Sequence, residues 1–176
     1  MELVKRLFDK ALLLKHSSRT DVRGPMQTVF RAEELEEMGI DFAVRDCRVY
    51  TMPEPGTFFG IHFQSEENPM TKLISVIRGK GMDYIIDLRP GSPTYLQWEQ
   101  FELSEENCLT VYIPQGFGHA FVSMEADTIQ LYTADACSRK GSSRQLNYRE
   151  ERIGLKLPVP VTRISAYDDE APYLDD

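Results

Sequence analysis

The chain is written in short apolar and aromatic runs broken by turn residues. Lys72-Leu73-Ile74-Ser75-Val76-Ile77, Met82-Asp83-Tyr84-Ile85-Ile86-Asp87-Leu88 and Leu109-Thr110-Val111-Tyr112-Ile113 are rich in β-branched and aromatic side chains, a composition that reads as strands. Turn chemistry separates such runs at Asp21-Val22-Arg23-Gly24, Pro53-Glu54-Pro55-Gly56, Arg78-Gly79-Lys80-Gly81, Arg89-Pro90-Gly91-Ser92-Pro93 and Pro114-Gln115-Gly116. Punctuation this frequent predicts a mainly β domain, a sandwich or a barrel. One short helix is expected over Ala32 to Met38, where four glutamates surround Leu35 and Met38, with Gly39 able to take the left-handed conformation that stops it. No internal repeat or low-complexity linker interrupts the pattern. After about residue 138 the text changes to a polar loop, Ser138-Arg139-Lys140-Gly141-Ser142-Ser143-Arg144. The tail that follows, through Ser165-Ala166-Tyr167-Asp168-Asp169-Glu170-Ala171-Pro172, either frays or closes over a cleft.

Length and charge narrow the classes. With 176 residues the chain suits a single domain, its core at about 20–135 and a C-terminal segment at about 145–176 packing over the site. Its 28 acidic against 20 basic side chains argue against a nucleic-acid binder, which would carry a clustered basic face. Any anionic ligand then needs a local site. Cys47, Cys108 and Cys137 are odd in number and widely spaced, fitting neither a disulfide framework nor a zinc cluster and pointing to a reducing cytoplasm. Ala11-Leu12-Leu13-Leu14 is too short to span a membrane, and its lysine flanks do not make a signal peptide.

Two of the three histidines stand in strand-like, glycine- and aromatic-rich contexts: His62 in Gly60-Ile61-His62-Phe63-Gln64, and His119 in Gly116-Phe117-Gly118-His119-Ala120-Phe121. A titrating side chain there is costly unless it has a partner or a task. Strict alternation would send Gly60, His62 and Gln64 to one face, toward a barrel mouth or solvent. His62 read alone fits a structural histidine bonded to a backbone carbonyl as well as a functional one. His119, with Asp83 available on another inner strand, suits a charge-paired structural role or a ligand-binding one. A catalytic metal is not expected, since no His-x-His is present and the third histidine, His16, lies in the N-terminal arm. Lys72 by itself reads as a solvated lysine, and Tyr132 as a half-buried strand aromatic. Taken with His62 and a distant carboxylate, they supply a base, an acid and a cation for an oxyanion, the set that moves a proton beside a carbonyl.

These segments, with Ser92-Pro93-Thr94, Leu103-Ser104-Glu105-Glu106-Asn107 and Ile113-Pro114, resemble in order and spacing the dTDP-4-dehydrorhamnose 3,5-epimerase family of nucleotide-sugar epimerases. The resemblance runs from Asp21 to Asp168. It implies a cupin-type jelly roll with short helices and a cofactor-independent isomerase acting on a nucleotide-linked 4-keto-6-deoxy sugar. It further implies a homodimer exchanging strands or N-terminal arms, which would put Arg23 of one chain at the other's site. Carried over by position, His62 is the base, Asp168 its partner carboxylate, with Asp169 a rival for that role, Tyr132 the acid on the opposite sugar face, and Lys72 the cation on the enolate. Arg23, Gln64, His119 and Asp83 are the expected substrate-binding residues.

The departures are concentrated. Phe59 stands where the family usually has an arginine that contacts the pyrophosphate; Met26 and Thr28 replace phenylalanine and glutamate, Cys47 asparagine, Ser138 tyrosine, Ser143 glutamate and Tyr148 tryptophan. The proton-transfer positions are intact while nucleotide-side positions differ, so the chemistry is expected to persist on a substrate of the dTDP-4-keto-6-deoxyglucose type, with the nucleotide and the sugar left open. Arg45, Arg48 or Arg139 are candidates for the missing phosphate contact. Two other readings stay open: a C3-only epimerase, and a sugar-nucleotide-binding cupin without catalysis.

Overall fold

Runs that are apolar at nearly every position need cover on both faces, and the fold supplies it. The computed structural model describes residues 1–139 and 141–175; Lys140, inside the polar loop, and Asp176 lie outside the described residues. In chain order the elements are β1 (Glu2–Leu7), β2 (Ala11–Lys15), β3 (Ser17–Asp21), β4 (Gly24–Thr28), α1 (Ala32–Glu36), β5 (Asp46–Met52), β6 (Thr57–Gln64), β7 (Lys72–Arg78) and β8 (Lys80–Asp87). They continue with β9 (Trp98–Ser104), β10 (Leu109–Ile113), β11 (Phe117–Ser123), β12 (Thr128–Ala134), β13 (Ser143–Leu146), β14 (Arg163–Ile164) and α2 (Ala166–Asp169).

Two sheets face each other, one ordered β1-β2-β10-β7-β12-β5 and the other β13-β6-β11-β8-β9, with β14 joining β6 in parallel. Ile74, Val76, Val111 and Ile113 from the first sheet meet Ile85, Leu103, Phe117 and Phe121 from the second in a closed core, making the expected cupin-type jelly roll. The outer face of the first sheet is covered by α1, whose Leu35 packs on Leu12, Leu14, Phe42 and Leu73. Gly39 ends that helical turn at φ +77°.

The outer face of the second sheet is covered by the C-terminal segment. Ile153, Leu155, Leu157, Val159, Val161 and Leu174 lie on Phe58, Ile61, Tyr84, Ile86 and Val122. Polar pins hold this strap: Tyr84 donates to the Lys156 carbonyl at 2.9 Å, Trp98 to the Ile153 carbonyl at 3.0 Å, and the Asn147 amide to the carbonyls of Asp169 and Ala171. The tail thus lies along the outer face of the second sheet.

The first sheet begins earlier than the expected core span of 20–135, because β2 pairs with β10 and Leu12, Leu13 and Leu14 are all buried. The hairpin turn before it is made by Phe8 and Asp9 at positive φ; without the usual glycine, it lacks a sequence signature. Among the described residues no helix is long and apolar enough to cross a membrane.

Candidate active site

His62 and His119 are directly opposite one another on β6 and β11, so their side chains share a sheet face. It is the inner face, since Phe117 and Phe121, two residues either side of His119, belong to the inter-sheet core. The strict alternation expected for β6 fails below His62. The register slips by one residue between the His119–His62 and Phe121–Phe59 pairs, the mark of a β-bulge. Phe59 therefore joins the inner core and Ile61 the outer one, and Gly60 leaves the face that alternation assigned to it.

The bulge makes room for a carboxylate. The far edge of β6 pairs with β13 from Ile61 to Gln64 and with β14 at Thr57 and Phe58, leaving positions 59 and 60 open. Asp168 enters there from α2 and accepts the Gly60 backbone N–H. A Cβ at position 60 would lie 3.1 Å from the Asp168 side chain, so glycine is what permits the approach. Asp168 Oδ1 lies 2.5 Å from His62 Nε2. Burial alone would raise the Asp168 pKa, but bonds from His62, Ser165 and Gly60 bring it below the usual carboxylate value. An ionised carboxylate only accepts, so Nε2 carries the proton and Nδ1 keeps the free lone pair. Asp169 points elsewhere, to Arg149 at 2.6 Å, which leaves Asp168 as the partner.

Ser165 was not read from the sequence as a site residue. It caps α2 by accepting the Asp168 N–H at 3.1 Å and donates its hydroxyl to Asp168 Oδ2 at 3.0 Å. The signal was there, since a serine three residues ahead of an acidic residue is a helix-start pattern. Tyr167 lies over His62 with ring centroids 6.0 Å apart.

Lys72, read alone as solvated, is 3 % exposed. Its ammonium points at the His62 carbonyl oxygen, 3.5 Å away. Burial lowers its pKa to about 8, against the opposing pull of Asp83. Asp83 in turn is raised by burial and partly brought back by His119 and Lys72; its Oδ2 lies 2.7 Å from His119 Nε2, and its Oδ1 has no hydrogen-bond partner among the described residues. The site thus brings together two imidazole–carboxylate pairs and a lysine; Lys72, Asp83, His119 and Asp168 are buried while the His62 side chain stays 29% exposed, and charge developing on a ligand beside the buried groups is strongly felt.

Tyr132 faces this group from the first sheet. It packs on the inter-sheet core, with the Tyr50 ring edge-on at 6.0 Å and the Arg48 guanidinium 5.6 Å from its centroid. Its hydroxyl donates to Met70 Sδ at 3.3 Å, and burial raises its pKa. Two expected substrate contacts lie outside this constellation. Gln64 lines a cavity of about 780 Å³ with Lys10, Leu88, Arg89 and Gln115. Arg23 is exposed at the β3–β4 turn, where its guanidinium pairs with Asp21 at 2.6 Å, and that hairpin joins neither large sheet. Among the described residues no group of three or more His, Cys, Asp or Glu side chains is placed to hold a metal ion.

Comparison with known proteins gives this geometry a family. A sequence model described as dTDP-4-dehydrorhamnose 3,5-epimerase matches residues 6–176. The protein of that name from Sinorhizobium fredii is 32% identical over 86% of this chain and 77% of its own length. A dTDP-4-dehydro-6-deoxyglucose 3-epimerase from Streptomyces bikiniensis is 29% identical over 88% of this chain and 80% of its own. Among solved structures, the Bacillus anthracis dTDP-4-dehydrorhamnose 3,5-epimerase with TDP and PPi bound superposes with a TM-score of 0.94 at 30% identity, covering 98% of this chain and 99% of that one. On the match of model, sequence and fold over nearly its whole length, the chain belongs to the dTDP-4-dehydrorhamnose 3,5-epimerase family.

Proposed function

We propose that this epimerase inverts C3 and C5 of a dTDP-linked 4-keto-6-deoxy sugar. His62 Nδ1 takes the proton from the carbon beside the C4 ketone, and the C–H electron pair moves onto the ketone oxygen as an enolate. Lys72 holds that oxygen, while His119 and Asp83 shape its surroundings. Tyr132, on the other side of the ring, then gives its phenolic proton to the opposite face of the carbon; the ketone re-forms and configuration is inverted. Asp168 keeps His62 oriented and stabilises its protonated form. The substrate's own ketone acidifies the adjacent carbon, so the scheme uses no cofactor. The observation that carries the reading is an imidazole–carboxylate pair at one sheet and a half-buried phenol on the facing sheet, with a buried ammonium beside them.

The test is to incubate the protein with dTDP-4-keto-6-deoxyglucose in deuterated water and locate solvent deuterium in the product. Label at both C3 and C5 is expected. Label at C3 alone would establish the second reading, single epimerisation, which the Streptomyces bikiniensis relative's name favours. No label with any 4-keto nucleotide sugar would leave a binding protein without catalysis.

The enzyme is further proposed to work as a cytoplasmic homodimer in which the β3–β4 hairpin brings Arg23 to the partner's site. The hairpin's isolation from both sheets, exposed Val22 and Met26 on it, and three free cysteines support this.

A further inference from the structure

Within a single chain the reaction scheme leaves the anionic end of the substrate unheld, Arg23 being proposed to come from the partner. In a pyranose, C1 lies across the ring from C4. A ketone oxygen at sealed Lys72 therefore turns C1 and its diphosphate toward the solvent-open side of the enclosure. Two negative phosphates entering a chain of net charge −8 need a local cation there. Lys72 is taken, being buried and aimed at the His62 carbonyl.

Of the three arginines that sequence singled out, one meets the requirement. Arg48 is directly opposite Tyr132 in the β5–β12 pairing, and its guanidinium lies over the Tyr132 ring. Its side chain is 37% exposed, so it reaches both the reacting face and solvent. Arg45 and Arg139 are exposed. The surrounding wall is aromatic: Tyr50 lies between Phe59 and Tyr132, with ring centroids 5.2 Å and 6.0 Å away. Arg48 is the one lysine or arginine in β5, β6 and β12.

Its orientation is set by neighbours. Asp46 takes a guanidinium N–H, Ser138 Oγ accepts another at 3.2 Å, and the Tyr50 side chain takes part as well. A guanidinium has five N–H donors, so these bonds fix the plane and leave donors for a ligand. We propose that Arg48 binds the diphosphate of the nucleotide sugar, supplying from β5 the cation that Phe59 does not supply from β6. This rests on the reading of the enclosure as a nucleotide-sugar site, and it adds the residue that recognises the anion.

The experiment uses dTDP, which has no sugar and undergoes no chemistry, so a failure of the epimerase reading does not disturb it. Titration calorimetry on the whole protein is expected to show Arg48→Gln binding dTDP about 10- to 100-fold more weakly, the loss typical of a charged hydrogen-bonded pair. Thymidine binding should be unchanged, and Arg48→Lys should fall between. Equal dTDP affinity in wild type and Arg48→Gln overturns the proposal. Should Arg48→Gln fold poorly, a crystal structure of the wild-type protein with dTDP decides it. Phosphate oxygens within 3.5 Å of the guanidinium, the ordinary hydrogen-bond limit, support the assignment; a diphosphate held elsewhere sinks it.

Discussion

Lys72, the cation proposed for the enolate, comes at a cost to the fold. Its pKa, lowered by burial from 10.5 to about 8, means that the unfolded chain holds the extra proton between those values. Stability from this group therefore rises as pH climbs from about 8 to 10.5. Activity should move the other way, since only the ammonium form stabilises an enolate. Because kcat/KM reports the ligand-free enzyme, it is expected to fall as pH passes about 8, and a kcat/KM profile flat to pH 10 would remove Lys72 from the role. The two proton-transfer groups separate by isotope. His62→Ala should abolish deuterium wash-in at both carbons. Tyr132→Phe should leave proton abstraction in place and slow its return, with each losing about 10²- to 10⁴-fold in turnover. At this scale strand context drew attention to His62, where a polar ring is costly, but left a structural role equally open, and Tyr132 stood out only through the family resemblance. The burial of Lys72 was not, since a lysine opening a strand looks the same whether it faces water or a core.

At the scale of elements, the site depends on a strand left unpaired where α2 meets it. On its far edge, away from β11, β6 is paired above and below but not at positions 59 and 60, and the four-residue α2 fills that gap with Asp168. A helix this short has little stability of its own. Its geometry rests on the Ser165 cap and on the strap pinned by Asn147 and Trp98. Ser165→Ala is expected to cost about 1 kcal/mol of stability through the lost cap and to lower kcat roughly tenfold, on the order of one hydrogen bond to a charged group. KM should stay near the wild-type value. Ser165→Thr, which can both cap and donate, should restore kcat. Equal kcat for Ser165→Ala and wild type would show that Asp168 needs no second donor. The sequence carried the strands and α1 through composition and Gly39. The β6 bulge escaped it, because a one-residue slip is a property of the pair β6–β11 and not of either strand.

At the scale of the molecule, two outer layers, α1 on one sheet and the C-terminal strap on the other, explain why the central strands are apolar at nearly every position. The β3–β4 hairpin, exposed over most of its length, stands outside these layers. If it serves a second copy, light scattering will give a dimer mass, and Arg23→Ala will raise KM for the nucleotide sugar about tenfold with kcat little changed, as for a lost phosphate contact. A monomer with undiminished activity would end the shared-arm picture. The sequence alone determined the β class and the helix stop at Gly39, because these follow from local composition, while the roles proposed for His62, Tyr132 and Lys72 came from the resemblance of its motifs to a family. Tertiary structure alone decided that Asp168 and not Asp169 meets His62, that Gly60 is the opening through which it does so, and that Arg48 stands over Tyr132. Those facts arise where segments distant in sequence are brought together by burying both faces of the sheets, and no stretch of the chain contains them by itself.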